Sequence, residues 1–362
     1  LYNINDSEKI FIHNTMFSIA ASTTIKICPR FLRHFNLYNM YAPATDTIFR
    51  IFSNILFSKL KRNSFAADIF NTVTSITNAT IDIYNSVIKI LRPVPAKFQY
   101  QFSIRDISRI IKGCSLLQKE SVETKVTFMR IWAHEIWRVF GDRILDNNDK
   151  EWLFLQIKEI SKRYFKDSFE TAFDYLPKFD NNEITKDSFC NLMFCSFMCA
   201  EKNENKKYEE INSIEKLKNK VLFYLHEYNN TNTKKRIDIV VSQYILECLI
   251  KISRILIIPG SNLLIISSMG SGRKSLASLA AYIQQQELFE PSVQSYCDFN
   301  MWRKDIKMVL QKCGELRQDF ILFLKDKQIK HNFLQDICCL LATGEISDLF
   351  SAEEKCNIIE TI

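Results

Sequence analysis

The residues best suited to chemistry lie just after a short apolar run in the last third of the chain. Gly270 and Gly272 are two of only seven glycines among 362 residues, and Arg273, Lys274 and Ser275 follow them directly. Glycines allow backbone N–H groups to turn toward an anion, and the N-terminus of a helix adds a positive dipole. This combination favours a phosphate-binding loop between a strand and a helix.

The loop departs from the P-loop pattern G-x-x-x-x-G-K-[ST] in either register. With Gly272 as the second glycine, Ser267 takes the first glycine position, Arg273 the lysine position and Lys274 the hydroxyl position. With Lys274 as the phosphate lysine and Ser275 as the Mg²⁺ ligand, Arg273 stands where a glycine is expected. An ordinary strand-to-helix turn with a basic first turn therefore remains an alternative.

A phosphate loop needs a strand before it and a helix after it. Residues 263–266 are a run of Leu and Ile that predicts a buried strand of a parallel sheet, and residues 275–288 are predicted as a helix. Residues 320–324 predict a second buried strand, followed closely by Asp326. Strand, glycine loop, helix, strand and aspartate is the order typical of a P-loop NTPase.

Asp326 is the candidate metal ligand. At the carboxyl end of a strand beside the loop, an aspartate is placed to hold the Mg²⁺ that bridges nucleotide phosphates. Hydrolysis usually also needs a carboxylate that activates water, directly after that aspartate, but here the next residue is Lys327. Because a cation cannot act as this base, the sequence favours nucleotide binding over turnover, and no catalytic residue is assigned.

Most of the remaining chain is predicted to be helical from its apolar periodicity. A strongly apolar helix at 237–257 leads into the loop, and residues 37–41 are a possible strand. The other predicted helices are at 46–60, 68–91, 103–117, 122–140, 149–165, 189–200, 301–313 and 332–341, of which those between 68 and 165 form a helical subdomain.

Composition excludes several classes of protein. The net charge of +7 comes from 48 basic and 41 acidic residues that are interspersed, without the basic block typical of nucleic-acid arms. No segment reaches the ~20 apolar residues of a membrane span, so a soluble protein is expected. Cys190, Cys195 and Cys199 are predicted as reduced core residues rather than zinc ligands, because no histidine lies near them.

Two further groups of charged residues are candidates for a site. Arg30 and Arg33 stand among apolar residues, either as helix-end charge or as cations presented to a neighbouring phosphate. Arg105, Asp106 and Arg109 are spaced to share the start of a helix, either for capping and ion pairing or to aim an arginine at a facing domain.

These segments, in this order, resemble the third and fourth AAA+ modules of the dynein heavy chain motor. The loop is similar to the fourth-module form G-x-G-G-S-G-[KR]-x-S-L, matching at 270–273 and 275–276 and departing at Ser267 and Met269. The arginine in the loop and the non-acidic residue after Asp326 look like axonemal rather than cytoplasmic dyneins. Further fourth-module motifs are matched at 299–305, 323–329, 333–337 and 344–350, and third-module motifs at 29–36, 102–109 and 132–143.

The resemblance implies an α/β plus all-α fold, in which AAA+ P-loop NTPase modules with a parallel sheet and flanking helices accompany a helical lid. It implies the C-terminal part of the third module's large subdomain at 1–65, its lid at 66–200, a linker at 201–236 and the N-terminal part of the fourth module at 237–362. The implied ligands are ATP or ADP with Mg²⁺. The implied site residues are Gly270, Ser271, Gly272, Arg273, Lys274 and Ser275 for nucleotide, Ser275 and Asp326 for metal, and Arg30, Arg33 and Arg105 as sensor or finger arginines.

The function implied is that of a segment of an axonemal-type dynein motor ring whose degenerate site binds nucleotide with little or no hydrolysis. A purely structural ring segment without nucleotide binding and a free-standing helical interaction protein are the alternatives. The implied partners are other AAA+ modules of the same heavy chain, and intermediate chains, light chains and microtubules through parts absent from this segment. No nucleic acid or membrane partner is expected, and the implied location is the cytoplasm, the cytoskeleton and the ciliary axoneme.

Overall fold

The computed structural model divides into a unit at 1–47 and a unit at 48–362. The residues it describes are 27–65, 67–119, 124–165, 169–176, 184–198, 207–211, 213–233, 235–258, 260–268, 270–291, 298–316, 319–325 and 331–361.

The first unit contains the short helix α1 (Pro29–Leu32), followed by extended chain. The strand predicted at 37–41 is wrong: no strand is formed there, the described residues offer its backbone no pairing partner, and Tyr38 and Tyr41 are largely exposed. A strand needs a neighbouring strand to satisfy its backbone groups, and apolar alternation alone does not supply one.

A bundle of helices forms the first core of the larger unit. Its members bury aliphatic and aromatic side chains at helical spacing, and Trp132 donates from its indole N–H to Thr80 Oγ1 at 2.9 Å. The predicted helices of the bundle are confirmed with shifts of a few residues at their ends. They are α2 (Thr45–Arg62), α3 (Ala67–Ile90), α4 (Ile104–Cys114), α5 (Lys125–Phe140) and α6 (Asn147–Tyr164). The short helices α7 (Phe169–Ala172) and α8 (Lys186–Cys190) complete the bundle.

The helix predicted at 189–200 is wrong beyond Cys190. Strand β1 (Phe194–Cys195) pairs antiparallel with β2 (Glu209–Glu210), with Phe194 opposite Glu210. Apolar residues on both sides of so short a strand give no helical or alternating period, so its sequence does not separate the two structures. Cys190 and Cys195 are reduced cysteines rather than half-cystines, and Cys199 lies outside the described residues.

A second core joins α9 (Ile214–Thr231), α10 (Gln243–Ile257) and α11 (Arg273–Gln284). The segment 201–236, predicted as linker, therefore contains a helix whose Leu217, Val221 and Leu225 are buried. The apolar helix predicted at 237–257 begins only at Gln243, where the Ser242 hydroxyl accepts a hydrogen bond from the backbone of Ile245 and caps the helix.

The strands β3 (Glu287–Phe289) and β4 (Phe320–Leu322) form a parallel pair whose first residues lie opposite each other. Leu322 of β4 packs against a third, smaller core. Its helices are α12 (Phe299–Leu316) and α13 (His331–Thr343), which pack Trp302 against Phe333 with ring centroids 4.9 Å apart, and α14 (Ala352–Thr361) follows. No helix in the described ranges has the length and apolar content to cross a membrane.

Two predictions around the loop are wrong. The helix predicted at 275–288 ends at Gln284, because Gln285 adopts a left-handed backbone with φ of 60°, and the chain then enters β3. Residues 263–266 form no strand, and Leu264 and Ile266 are 82% and 79% exposed. The described partner of β4 is β3, because parallel pairing depends on the path of the connecting helix rather than on the apolar content of each run.

Candidate phosphate-binding site

The loop before α11 is built on two glycines in the left-handed region. Gly270 has φ of 82° and Gly272 has φ of 74°, and a Cβ at either position would meet nothing within 4 Å. Glycine is therefore required here by the backbone conformation, which L-residues with a side chain rarely adopt, and not by crowding. The Ser267 and Ser271 hydroxyls lie 2.5 Å apart across the loop and hold its two ends together.

Helix α11 presents its N-terminus to this loop. Gly272 is the N-cap, its carbonyl accepts from the backbone N–H of Leu276 at 2.9 Å, and the first turn contains no acidic residue. The helix is fixed to the second core by its buried apolar face. The loop therefore brings a helix N-terminus, two basic side chains at 273 and 274 and the Ser275 hydroxyl together, an arrangement suited to an anion.

The three side chains of the first turn differ in their environments. Arg273 and Ser275 are half-buried, whereas Lys274 is exposed. Arg273 has no ion-pair partner within the described part of the chain, whereas the Lys274 ammonium is 2.5 Å from Glu290 Oε2. Of the two loop cations, Arg273 is therefore the one that forms no ion pair with another described residue.

Glu290 is a site residue that sequence reasoning missed. It follows β3 directly, and its other oxygen, Oε1, contacts the ammonium of Lys325, which lies beyond the end of β4. Burial by itself raises the pKa of Glu290, but the hydrogen bonds from Lys274 and Lys325 outweigh it and lower the pKa overall. The carboxylate is therefore charged at neutral pH and bridges two lysines from separate elements.

The predicted metal site is only partly described. Ser275 lies in the first turn of α11, and Asp326 and Lys327 lie outside the described residues. Within the described ranges, no group of three or more His, Cys, Asp or Glu side chains is arranged to hold a metal ion. A Ser hydroxyl at the start of the helix fits the donor chemistry of Mg²⁺, which prefers oxygen ligands and keeps several waters.

Arg105 is placed differently from its two predicted neighbours. It is exposed in the first turn of α4 and lines a cavity of about 460 Å³ with Tyr84, Ser103 and Ile104, without an ion-pair partner among the described residues. The assignment of Arg105 as a sensor arginine stays a prediction.

The aspartate beside Arg105 serves the structure of the bundle. Asp106 is buried, accepts from the backbone N–H of Ser103 at 2.9 Å and pairs with Arg109 at 2.9 Å and Arg143 at 2.5 Å. Of the two alternatives for this group, capping and ion pairing apply to Asp106 and Arg109. The role of Arg143 was not predicted, because it lies 37 residues along the chain from Asp106.

Arg30 and Arg33 lie in the first unit, where both are exposed. Arg33 Nε donates to His34 Nε2 at 3.2 Å. Their assignment as finger arginines stays a prediction.

A buried ion pair ties the helical bundle to the second core. Glu135 in α5 is fully buried, Arg254 in α10 is 9% exposed, and Arg254 Nε donates to Glu135 Oε1 at 2.9 Å while Nη2 contacts Oε2. Burial raises the pKa of Glu135, but the Arg254 charge and hydrogen bonds reverse this and lower it to about 2. Gly113 packs so closely against this carboxylate that a Cβ there would lie 1.8 Å from Oε2.

His134 accompanies this ion pair. It is 1% exposed, accepts from Arg138 Nε at 3.2 Å through Nε2, and places Nδ1 at 3.4 Å from Glu135 Oε1 without a hydrogen bond. Burial lowers the pKa of His134 to about 4, so this imidazole is neutral at pH 7. Because His134, Glu135 and Arg254 are all buried, we assign the cluster a structural role.

Comparisons with known proteins agree with these observations. Residues 237–362 match the family model for the P-loop containing dynein motor region D4, and residues 49–150 match that for the dynein heavy chain ATPase lid domain. The chain is 40% identical over 282 residues to dynein axonemal heavy chain 12 of Rattus norvegicus, and this alignment covers 78% of this chain and 9% of the relative. It is also 36% identical over 322 residues to the Mus musculus protein of that name, and 30% identical over 338 residues to dynein axonemal heavy chain 3 of Mus musculus.

These two alignments cover 86% and 92% of this chain, and 10% and 8% of the respective relatives. The chain thus spans about a tenth of the length of the curated relatives that it matches.

Proposed function

The chain belongs to the axonemal dynein heavy chain family, and from this premise we propose that residues 237–362 bind a nucleotide within a motor ring. The fold is accordingly α/β plus all-α, with part of a P-loop AAA+ module beside a helical lid. The observation that carries the proposal is the glycine loop, whose left-handed Gly270 and Gly272 lead into an α11 N-terminus with two cations and no acid.

The ligand is ATP or ADP with Mg²⁺. Phosphate oxygens are received by the backbone N–H groups of the loop and of the first turn of α11, and by the guanidinium of Arg273. Ser275 and Asp326 would hold Mg²⁺, which neutralises phosphate charge. Because Lys327 occupies the position of the water-activating carboxylate, the site binds nucleotide with little or no hydrolysis and serves to tune the ring.

The wider role follows from the family. The heavy chain that contains this segment works on microtubules in the ciliary axoneme, within the cytoskeleton of the cytoplasm. Its partners are other AAA+ modules of the same chain, with intermediate chains, light chains and microtubules contacted through regions beyond the span matched here.

Nucleotide titration of the 362-residue chain, with fluorescent ATP and ADP analogues and Mg²⁺, tests the proposal. Arg273→Ala is expected to weaken binding by about ten-fold, the value of one charge-assisted hydrogen bond. Arg236→Ala, which removes an exposed arginine before α10, is the matched control and is expected to leave affinity unchanged. No Mg²⁺-dependent binding at ~1 mM nucleotide would refute the proposal.

A structural segment without nucleotide binding is the second candidate. The observation that favours it is the ion pair between Lys274 and Glu290, because this loop lysine already has its counter-charge within the chain. Under this alternative, ATP leaves the melting temperature unchanged both in the wild-type chain and in Arg273→Ala, whereas binding would raise the melting temperature of the wild type and raise that of Arg273→Ala by less.

A further inference from the structure

The proposed nucleotide site gives no role to Glu290, although this residue contacts one of its lysines. Its two carboxylate oxygens contact two ammonium groups, Oε2 that of Lys274 in the first turn of α11 and Oε1 that of Lys325 beyond β4. Because β3 and β4 are parallel, Glu290 and Lys325 leave the sheet at the same edge, beside the start of α11.

The three side chains are unequally exposed. Lys274 and Lys325 keep 45% and 43% of their side-chain surface in water, whereas Glu290 keeps only 22%. The carboxylate thus sits inside, and the two ammonium groups close over it from the outside. An anion arriving from solvent reaches ammonium groups whose charge the carboxylate already compensates.

A carboxylate and a phosphate compete for the same ammonium hydrogens, since both accept charge-assisted hydrogen bonds through anionic oxygens. They also repel each other when close together. A phosphate group at the loop therefore has to draw Lys274 away from Glu290, and Glu290 opposes the binding of any anion beside it.

We propose that Glu290 is an internal competitor for phosphate, which holds Lys274 and Lys325 until a highly charged ligand displaces it. This inference rests on the proposed nucleotide site and names its regulation. The consequence is selection by charge: a triphosphate offers more anionic oxygens for the two lysines than a monophosphate, so ATP exchanges for Glu290 more readily than AMP.

Glu290→Gln separates this role from packing, because it keeps the side-chain shape and removes the charge. Glu287→Gln is the matched control, since Glu287 is an exposed acid at the first residue of β3, three residues before Glu290. The affinities are measured by titration with fluorescent ATP, ADP and AMP analogues in the presence of Mg²⁺. Glu290→Gln is expected to bind ATP about three- to ten-fold more tightly than the wild type and to show a smaller ratio of ATP affinity to AMP affinity. Glu287→Gln is expected to change affinity less than two-fold, because it touches neither lysine.

A second measurement does not depend on nucleotide. Acetylation of lysine amines, followed by mass spectrometry, is expected to label Lys274 and Lys325 faster in Glu290→Gln than in the wild-type chain. Lys251, which pairs with Asp142 at 2.8 Å, is the internal reference whose rate stays constant.

The outcomes are distinguishable. If the wild-type chain binds ATP and Glu290→Gln binds it no better, the competitor role is overturned and the nucleotide site stands. If only Glu290→Gln binds, the competitor role is supported and nucleotide binding by the wild-type chain is overturned. If neither binds, both proposals are overturned, and equal labelling of Lys274 and Lys325 in the two proteins overturns the competitor role by itself.

Discussion

Removing the guanidinium of Arg254 should be among the most damaging single changes in this chain. Arg254→Met keeps the length and apolar stem of the side chain but leaves Glu135 without a counter-charge. Glu135 is fully buried, and both hydrogen bonds to its carboxylate from Arg254 would be lost. Breaking a buried pair from one side costs about 3–5 kcal/mol, because the remaining charge is desolvated and unpaired.

The size of this effect follows from burial and not from the mere presence of an ion pair. Arg163 and Glu159 form a comparable pair at 3.2 Å on α6, but their side chains are 57% and 59% exposed. Arg163→Met should therefore cost about 0.2–1 kcal/mol. Glu135→Met with Arg254→Met should recover most of the single-variant loss, because no buried charge remains.

Urea unfolding followed by tryptophan fluorescence measures these changes as shifts of the transition midpoint. The pH dependence of the free energy of unfolding provides a second test, because the direction of its change is predicted. In the wild-type chain the pKa of Glu135 is lowered to about 2 from 4.5, so its contribution to stability is present above pH 4.5 and is lost as the pH falls toward 2. In Arg254→Met, burial acts on Glu135 without a counter-charge and raises the pKa of its carboxyl group. The difference in free energy of unfolding between wild type and Arg254→Met should therefore become smaller as the pH falls.

Two results would refute this reasoning. One is a loss below about 1 kcal/mol for Arg254→Met, since that is the range of an exposed pair. The other is a gap between wild type and Arg254→Met that widens as the pH falls.

Three further changes have expected outcomes. Gly113→Ala should lower the urea midpoint more than Ala substitution at an open helical glycine would, because its Cβ would lie 1.8 Å from Glu135 Oε2; an unchanged midpoint would contradict this packing. Asp106→Ala should cost about 2–4 kcal/mol by calorimetry, because it removes a cap and leaves Arg143 unpaired, whereas a loss under ~1 kcal/mol would show the pairing to be weak. Because the pKa of His134 is lowered from 6.5 to about 4, the neutral imidazole contributes stability above pH 6.5, and this stability is lost as the pH falls toward 4. In His134→Gln, the melting temperature should therefore depend less on pH between 6.5 and 4, and an unchanged pH dependence would contradict this.

The helices were predictable because their signals are local. Each helix hydrogen bond joins residues four apart, and the apolar face repeats over the same distance, so residues that are near in sequence report the element. The bundle helices accordingly lie within a few residues of their predicted ends. The helix α9 was missed because polar residues surround its narrow buried stripe of Leu217, Val221 and Leu225.

The strands around the loop were not predictable in the same way. Residues 263–266 and 320–324 have similar apolar content, but only the latter contains a paired strand, and its partner β3 was predicted as the end of a helix. Strand pairing is decided by which segments the connecting chain brings side by side, and no single run of residues contains that information.

The sequence by itself determined the glycine loop, its basic first turn, the lysine that follows Asp326 and the likeness to a motor ring. Glycines before a helix, and a lysine in place of an acid, restrict the chemistry whatever the rest of the chain does. Only the tertiary structure decided which charges meet: Glu290 holds Lys274 and Lys325, and Glu135 holds Arg254 from 119 residues away. Ion pairs depend on distances through space, which folding sets and spacing along the chain does not.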